Sequence, residues 1–557
     1  MGDGTSAGAS IHATIAAPIH SAVGFAKTDY GTLTLDSQAN AVSGTATVEG
    51  GTLEIGDAQH SNATLAAPIN VQHGAVLDGY GTTGSLTTSG VLEPGDGVGT
   101  LHVRGNATLA ANSTYLVQVT SAGRGSEVDV SGHTTLQGGK VDVLGTGRAW
   151  QPLTQYSILA SAQGITGTFG AVSTNLDFLN PVLEYHPQEV TLVLERNDIL
   201  FASGALTPDA YNAANAADDL GWDNPLYDAL AVLPKGTDTQ TVFEQLSGKF
   251  YASQETARAA AARPVRAAMI DHARPAPLST TTANSARKAT AWADAWGTWG
   301  EYGGPYNSRI DDNGDGLLLG ATVPVGSRGA FGVLGGGTRN TLSAPFPSAW
   351  TRETSTWIGA YGSAALGRLS INAGVAHSWD TLPTNRTVVY PGYAGRLSSN
   401  MDGGTTTAYA HMGWHFNLPR GSVVPFVTLA RTQVTSSRIT ELNASPDLAV
   451  APRALSDTAS TLGAKVSLRV ERRLDVSGTL GWRHTFGSVV PVSEQTYAST
   501  DDAFTVFGVP LVRNGATAGV AVNWHLALHV ALSIGYHGLF GGGTRDGVAH
   551  VDLRVRF

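Results

Sequence analysis

The 557-residue chain has no cysteine, which excludes thiol catalysis, thiolate metal sites and disulfides. It has no run of about 18 apolar residues, so no transmembrane helix is expected. Charged residues make up 14% of the chain, against about 25% in ordinary soluble domains. The net charge is −10 and no basic run occurs, so nucleic acid is not an expected partner. The opening stretch, "MGDGTSAGASIHATIAAPIH", lacks the basic and apolar regions of a secretory signal. What the chain does have is glycine, 68 residues, which favours turns and strands. Nine of its eleven tryptophans lie at or after Trp292, so its character changes near residue 290.

Residues 1–200 read as short strands at close spacing: "GTLTL" (31–35), "GGTLEIG" (50–56), "NATLAAPINV" (62–71), "GAVLDGYG" (74–81) and "GGKVDVLG" (138–145). A glycine turn precedes a few alternating residues with Leu or Val on one side. Units this small cannot bury a face alone, so they are expected to stack as a β-solenoid, with a Gly-rich β-sandwich as the alternative. Residues 201–290 change to helical composition. Asn224-Pro225 supplies a cap and first turn, and the Ala-rich stretch 241–274 carries Glu244, Glu255, Arg258, Arg263, Arg266, Asp271 and Arg274. As a single helix that stretch would reach about 50 Å, longer than a hydrocarbon core of about 30 Å. Its charges forbid contact with lipid, and Pro264 is expected to bend or break it. It either crosses a membrane inside a wet lumen or serves as a solvated linker.

From 291 onward strict two-residue alternation recurs. Leu369, Ile371, Ala373, Val375, His377 and Trp379 share one face; Leu462, Ala464, Val466, Leu468 and Val470 oppose Lys465, Ser467 and Arg469. At the C-terminus Val551, Leu553, Val555 and Phe557 oppose His550, Asp552, Arg554 and Arg556. Twelve such windows start near 292, 316, 328, 355, 368, 402, 422, 459, 474, 515, 528 and 547. Short connections alternate with long polar ones (302–315, 342–354, 381–401, 438–458, 487–514). A soluble sheet would bury its apolar face on a second layer, whereas a membrane barrel turns it to lipid. Strand-end aromatics (Trp296, Trp299, Trp357, Tyr361, Trp379, Trp482, Trp524, Tyr536, Phe540, Phe557) suit interfacial girdles and favour the barrel. Arginine at the midplane of a lipid face costs about 2–4 kcal/mol, and parity puts Arg469, Arg483, Arg554 and Arg556 on the lumen side. Free sheet edges are not tolerated in hydrocarbon, so the last strand is expected to close on the first.

These residues resemble the type V autotransporters of Gram-negative bacteria. The resemblance runs from "WADAWGTWGEY" through "GLLLGATVPVG", "TSTWIGAYGS" and "GRLSINAGVAHSWDTLPTNRTVVYPGY" to "GWRHTFGSVVPVS" and "LRVRF". Upstream, 26–56 looks like the passenger-associated transport repeat. Residues 91–195 are similar to the end of a β-helical passenger with its autochaperone region, and "FEQLSGKFYASQETA" matches the linker before the pore helix. The resemblance implies an all-β fold: a twelve-stranded transmembrane antiparallel barrel (291–557), an N-terminal right-handed β-helix (1–200) and a short helical linker (201–290). It implies a monomeric outer-membrane translocator that secretes or displays its own passenger at the cell surface. Outer-membrane lipid, the barrel assembly machinery and periplasmic chaperones are the implied partners. Val551, Leu553, Val555 and Phe557 would be read by that machinery, Lys465, Arg469, Arg483, Arg554 and Arg556 would line the lumen, and Glu255, Arg258, Arg263 and Arg266 would be the pore-helix charges. With a signal and a longer passenger customary ahead of the repeat, the chain reads as the C-terminal half of an autotransporter. No Asn-Asn cleavage pair stands in the linker, which leaves retention and release of the passenger both open.

Other motifs are weaker. "GTSAG" (Gly4–Gly8) fits G-x-S-x-G around Ser6 and resembles a subtilase serine segment, but Gly8 and Ser10 depart from it and no strand–helix context surrounds it; no catalysis is assigned. "DDNGDG" (311–316) opens like a calcium loop, yet its twelfth position is Thr322 rather than glutamate, and a flexible outer loop is expected. The sixteen histidines lack metal-ligand spacing, and neither metal nor cofactor is expected. The expected function is export of the passenger, driven by stacking of its units outside a membrane that has neither ATP nor an ion gradient. The alternatives are a surface adhesin or structural β-helix, a diffusion porin, and the C-terminal part of an exported serine protease or esterase whose catalytic domain lies upstream.

Overall fold

The computed structural model describes residues 5–146, 154–273, 288–306, 309–442 and 445–557. Gly4 of the "GTSAG" motif and Arg274 lie outside them. The chain divides into two compact units, Met1–Ser203 with Leu220–Thr237, and Gly204–Asp219 with Asp238–Phe557.

The first unit is a parallel β-helix. Every third strand pairs in parallel with its equivalent on the next coil, which stacks like positions of the sequence. One interior ladder runs Leu53–Leu77–Leu92–Tyr115. A second runs Val48–Val71–Thr88–Leu109–Leu136, and a third Leu65–Thr83–Val103–Val130–Ser161. Nearly all of these side chains are fully buried. No coil has a core of its own, so each depends on its neighbours. The stack ends where Gln155–Ser161 pairs antiparallel with Glu189–Arg196, which pairs antiparallel with Leu179–Tyr185. Arg196 lies over Phe178 and Phe201, 5.2 and 4.7 Å from their ring centres, and helps close that end. Ser6 lies exposed in a 3₁₀ turn, Ser6–Ser10, not at a strand–helix elbow.

The second unit is an antiparallel barrel of twelve strands, the number counted from alternation. We label them β1 (Thr290–Gly303), β2 (Arg309–Val325), β3 (Gly329–Ala344), β4 (Ala349–Leu366), β5 (Leu369–Tyr390), β6 (Tyr393–Trp414), β7 (Gly421–Ser436), β8 (Arg453–Glu471), β9 (Leu474–Phe486), β10 (Asn514–Ala527), β11 (Val530–Gly541) and β12 (Thr544–Arg556). β12 pairs with β1 from Thr544↔Tyr302 to Arg556↔Thr290, and Phe557 donates its N–H to Ala289 O at 2.9 Å. The ring closes and the hydrocarbon-level backbone is satisfied, as a spanning sheet requires. Leu462, Leu468, Val375, Ile534 and Leu553 all stand outward and exposed, where acyl chains replace a second protein layer.

Three expectations need correction. The long connections are mostly strand. β5 and β6, 22 residues each, run out to a two-residue turn at 391–392, and 311–316 lies inside β2, paired on both sides, rather than in a flexible loop. About 10 tilted residues span the membrane; beyond it the outward face of β5 turns polar (Thr381, Asn385, Thr387) while its buried face mixes Leu382 and Val388 with Thr384 and Arg386, so apolar alternation no longer marks it. The remaining segments fold into a second, four-stranded sheet (Ile439–Thr440, Leu448–Val450, Val492–Tyr497, Ala503–Phe507). Finally, Trp296, Trp357 and Tyr361 are not girdle residues. They point inward and are buried, Trp296 and Tyr361 sitting directly across from Gly316 and Gly332, whose missing side chains leave room for the rings.

One buried group in the β-helix sets a pH dependence. Glu54, Asp78 and Glu93 stack in register on successive coils, and Asp78 Oδ1 accepts the N–H groups of Gly79 (2.5 Å) and Asp96 (2.9 Å). Burial, with Glu93 and Asp96 adding to it, pushes Asp78 up from 3.8 to about 7 against those two hydrogen bonds. The folded state therefore binds this proton where the unfolded chain has lost it. Its stabilisation is full below the unfolded value and is lost as pH rises toward about 7, at up to about 1.4 kcal/mol per pH unit. Thermal unfolding of the β-helix, followed by circular dichroism, should come at a higher temperature at pH 5 than at pH 8. Asp78→Asn should shrink that difference; an identical difference in both proteins would place its source elsewhere.

Candidate functional site

The lumen of the barrel is filled by a helix. In the same unit, α1 (Pro208–Asp218) is capped by Thr207, whose Oγ1 accepts the Ala210 N–H at 3.2 Å. In the first unit, α2 (Pro225–Ala231) has Asn224 as its cap and Pro225 at its first turn. The 241–274 stretch is not one helix but two, α3 (Thr239–Leu246) and α4 (Phe250–His272), separated at Gly248, whose φ of +63° favours glycine. Twenty-three residues give α4 a length of about 35 Å, enough to cross a hydrocarbon core.

Of the two outcomes expected at Pro264, a bend or a break, the break does not occur: α4 runs through it. Proline removes the hydrogen bond that would reach the carbonyl four residues back, here that of Ala260. Arg263 supplies the missing donor from its side chain, Nε lying 3.3 Å from Ala260 O.

The helix meets the wall in two ways. Its small face, Ala262, Val265, Ala268, Met269 and Ala273, packs on the inward aromatics Trp292, Trp296, Trp357, Tyr361 and Tyr409. His272 stacks on Trp292 with ring centres 3.8 Å apart, and its Nε2 lies 3.1 Å from Asp552. Its charged face is matched group by group. Arg258, fully buried, reaches Asp380 at 2.8 Å, Glu353 at 3.3 Å and Ser436 Oγ at 2.7 Å. Glu255 accepts from Ser436 Oγ at 2.5 Å and pairs with Arg453 at 3.0 Å. Arg263 pairs with Asp546 and donates to Tyr302 OH at 3.3 Å. Arg266 Nη1 donates to Thr407 Oγ1 at 3.2 Å.

At the end with the long connections, the same logic holds the linker. Arg386 forks onto Glu441 at 2.5 and 2.7 Å, and Tyr251 OH donates to Glu441 at 2.8 Å. α1 docks on the four-stranded sheet: Asp209 accepts the Phe507 N–H at 2.8 Å, Asn212 donates to Thr505 O at 2.7 Å, and Tyr497 OH donates to Ala213 O at 2.9 Å.

The residues expected in the lumen do not share one setting. Arg483 lies half-buried on the inner wall, 3.1 Å from Asp457, and lines one narrow cleft with Arg263 and Tyr302. Lys465 lies 3.6 Å from Asp271 of α4. Arg554 pairs with Asp552 at 2.6 Å. Arg469 and Arg556 stand exposed at strand ends, Arg469 3.5 Å from Asp475. Of the C-terminal set, Val551, Leu553 and Phe557 are exposed on the outer face and Val555 is half-buried. Sequence reasoning missed the wall partners Glu353, Asp380, Glu441, Arg453 and Asp546. Glu353, Asp380, Arg453 and Asp546 carry the signal of polar-face parity, whereas Glu441 lies outside the strands; the pairing of all five with α4 is set by long-range closure, which no local pattern records.

Residues 291–537 match the family model of the autotransporter β-domain. Two curated relatives are extracellular serine proteases of Serratia marcescens, each 26% identical over 96% of this chain. The chain spans 56% of the length of either. Among solved structures, the translocator domain of the autotransporter NalP from Neisseria meningitidis aligns over 55% of this chain and 99% of its own, at 13% identity and a TM-score of 0.45. The β domain of the Bordetella autotransporter Brka aligns over 48% of this chain and 100% of its own, at 16% identity and a TM-score of 0.38. Residues 291–537, which form most of the closed twelve-stranded barrel, are thus an autotransporter β-domain, the translocator of type V secretion in the outer membrane.

Proposed function

We propose that the barrel carries the β-helix across the outer membrane and then keeps α4 as a seal, so that the β-helix stays displayed at the cell surface. The observation that carries this reading is the match between α4 and the wall: Glu255, Arg258 and Arg263 each meet an opposite charge on the barrel. A charged helix in a low-dielectric lumen is costly unless so paired, and such pairing suits a resting plug better than a chain in transit. Residues 26–56 serve as the transport repeat and 91–195 as an autochaperone, the coils between 91 and 195 forming first outside and templating the rest. The outward Val551, Leu553, Val555 and Phe557 offer the assembly machinery an apolar edge ending in an aromatic ring.

A second reading concerns the passenger. The named activity of the Serratia relatives favours a serine protease passenger whose catalytic domain corresponds to the part of those proteins that this chain does not span.

Three outcomes check these readings. In planar bilayers the native barrel should stay closed to ions. Arg258→Ala, which strands Glu353 and Asp380 at a cost of about 3–5 kcal/mol, should open it intermittently, and removal of 250–272 should open it fully; closed channels in both variants would remove the seal. Deleting 91–195 should leave barrel insertion intact while surface display falls severalfold, and undiminished display would dismiss the autochaperone role. Fluorophosphonate should not label Ser6, whereas a stoichiometric label there would move the catalytic centre into this chain.

A further inference from the structure

The β-helix holds a group of side chains that export does not use. Asp36 directly follows the strand Thr32–Leu35, and Asp57 and His60 follow the strand Gly51–Ile55 on the next coil. The two turns bring them together. His60 Nδ1 lies 2.8 Å from Asp57 Oδ1 and 3.5 Å from Asp36 Oδ2, and one ligand atom from each residue falls within 4.8 Å of the others.

Asp57 Oδ1 is already engaged locally, accepting the backbone N–H groups of Gln59 and His60, both at 2.8 Å. Asp36 is not. Its side chain is only 5% exposed, and its Oδ1 accepts no hydrogen bond. A buried acceptor left without a donor destabilises the fold, and a charged one more so. Like charges worsen this. Burial first, and then the nearby Asp96, Asp57 and Asp36, hold neighbouring Glu54 above its ordinary range against a hydrogen bond from Thr34. The corner of the coil thus gathers negative charge around a carboxylate with an unused oxygen.

We propose that Asp36, Asp57 and His60 bind one divalent transition cation of the zinc or manganese class and thereby staple two successive coils. Two carboxylate oxygens and one imidazole nitrogen are a donor set for such ions, whereas calcium and magnesium prefer oxygen throughout. Tetrahedral zinc with bonds of about 2.0–2.1 Å places its ligand atoms about 3.3 Å apart, close to the separations His60 Nδ1 makes with both acids. Three protein ligands leave a position for water. Asp36 and Asp57 meet only when the coils are stacked, so the ion binds the folded state and stabilises it by mass action. The inference does not depend on the barrel acting as a translocator.

The test is isothermal titration of the full chain in detergent with zinc chloride, and separately with calcium chloride. The native chain should bind one zinc at this site with at least tenfold higher affinity than calcium. Asp36→Asn and His60→Ala should each weaken that binding at least tenfold, while His102→Ala should leave it unchanged; His102 forms a comparable surface pair with Asp129, at 3.1 Å. Zinc should also raise the unfolding temperature of the native β-helix but not that of His60→Ala. His60 is half exposed, so this variant keeps the test decisive should Asp36→Asn disturb folding. Absence of saturable zinc binding, equal binding in His60→Ala, or calcium binding as tight as zinc would each overturn the proposal.

Discussion

Hydrocarbon offers no hydrogen bond to a backbone, and the architecture of the C-terminal half follows from that. A sheet placed there must close, and closure through β12 and β1 fixes the register of the whole ring. Once register is fixed, the inward residues face one another across a lumen at set heights. Glu353 on β4, Asp380 on β5 and Ser436 on β7 then surround a single point, and one guanidinium, that of Arg258, reaches all three. A constraint acting on the outside of the barrel has therefore determined the electrostatics of its inside.

The β-helix solves a different problem with the same element. It lies outside lipid, so it needs no closure, and its strands find partners along the axis instead of around a ring. Leu53, Leu77, Leu92 and Tyr115 stack on one another and share a core with the other interior ladders of the same coils. Stability accumulates coil by coil, so the stack can grow as chain is delivered to it. Charged residues stacked in the same register share the arrangement, which is why Glu54, Asp78 and Glu93 crowd together.

Much of this was legible from residues. Two-residue alternation such as Leu462–Val470 against Lys465–Arg469 marked each spanning segment and its outward side, because only one face meets lipid. The strand-end aromatics were less legible. Trp296 reads like Trp299 in composition, but it lies on the opposite parity and belongs to the packing around α4. The long links hid strands because β5 and β6 continue where the outward face meets water and the buried face mixes apolar with polar residues. The charges of α4 were visible as charges. Their partners were not, since Glu255 meets a residue nearly two hundred positions away through closure alone.

Pro264 illustrates what docking does to the linker. The carbonyl of Ala260 is served by Arg263, and the same guanidinium reaches Asp546 and Tyr302 on the wall. One side chain thus serves both the carbonyl that Pro264 leaves without a donor and the barrel wall, so the helix is tied to its lumen at the very turn where its own hydrogen-bond ladder is interrupted.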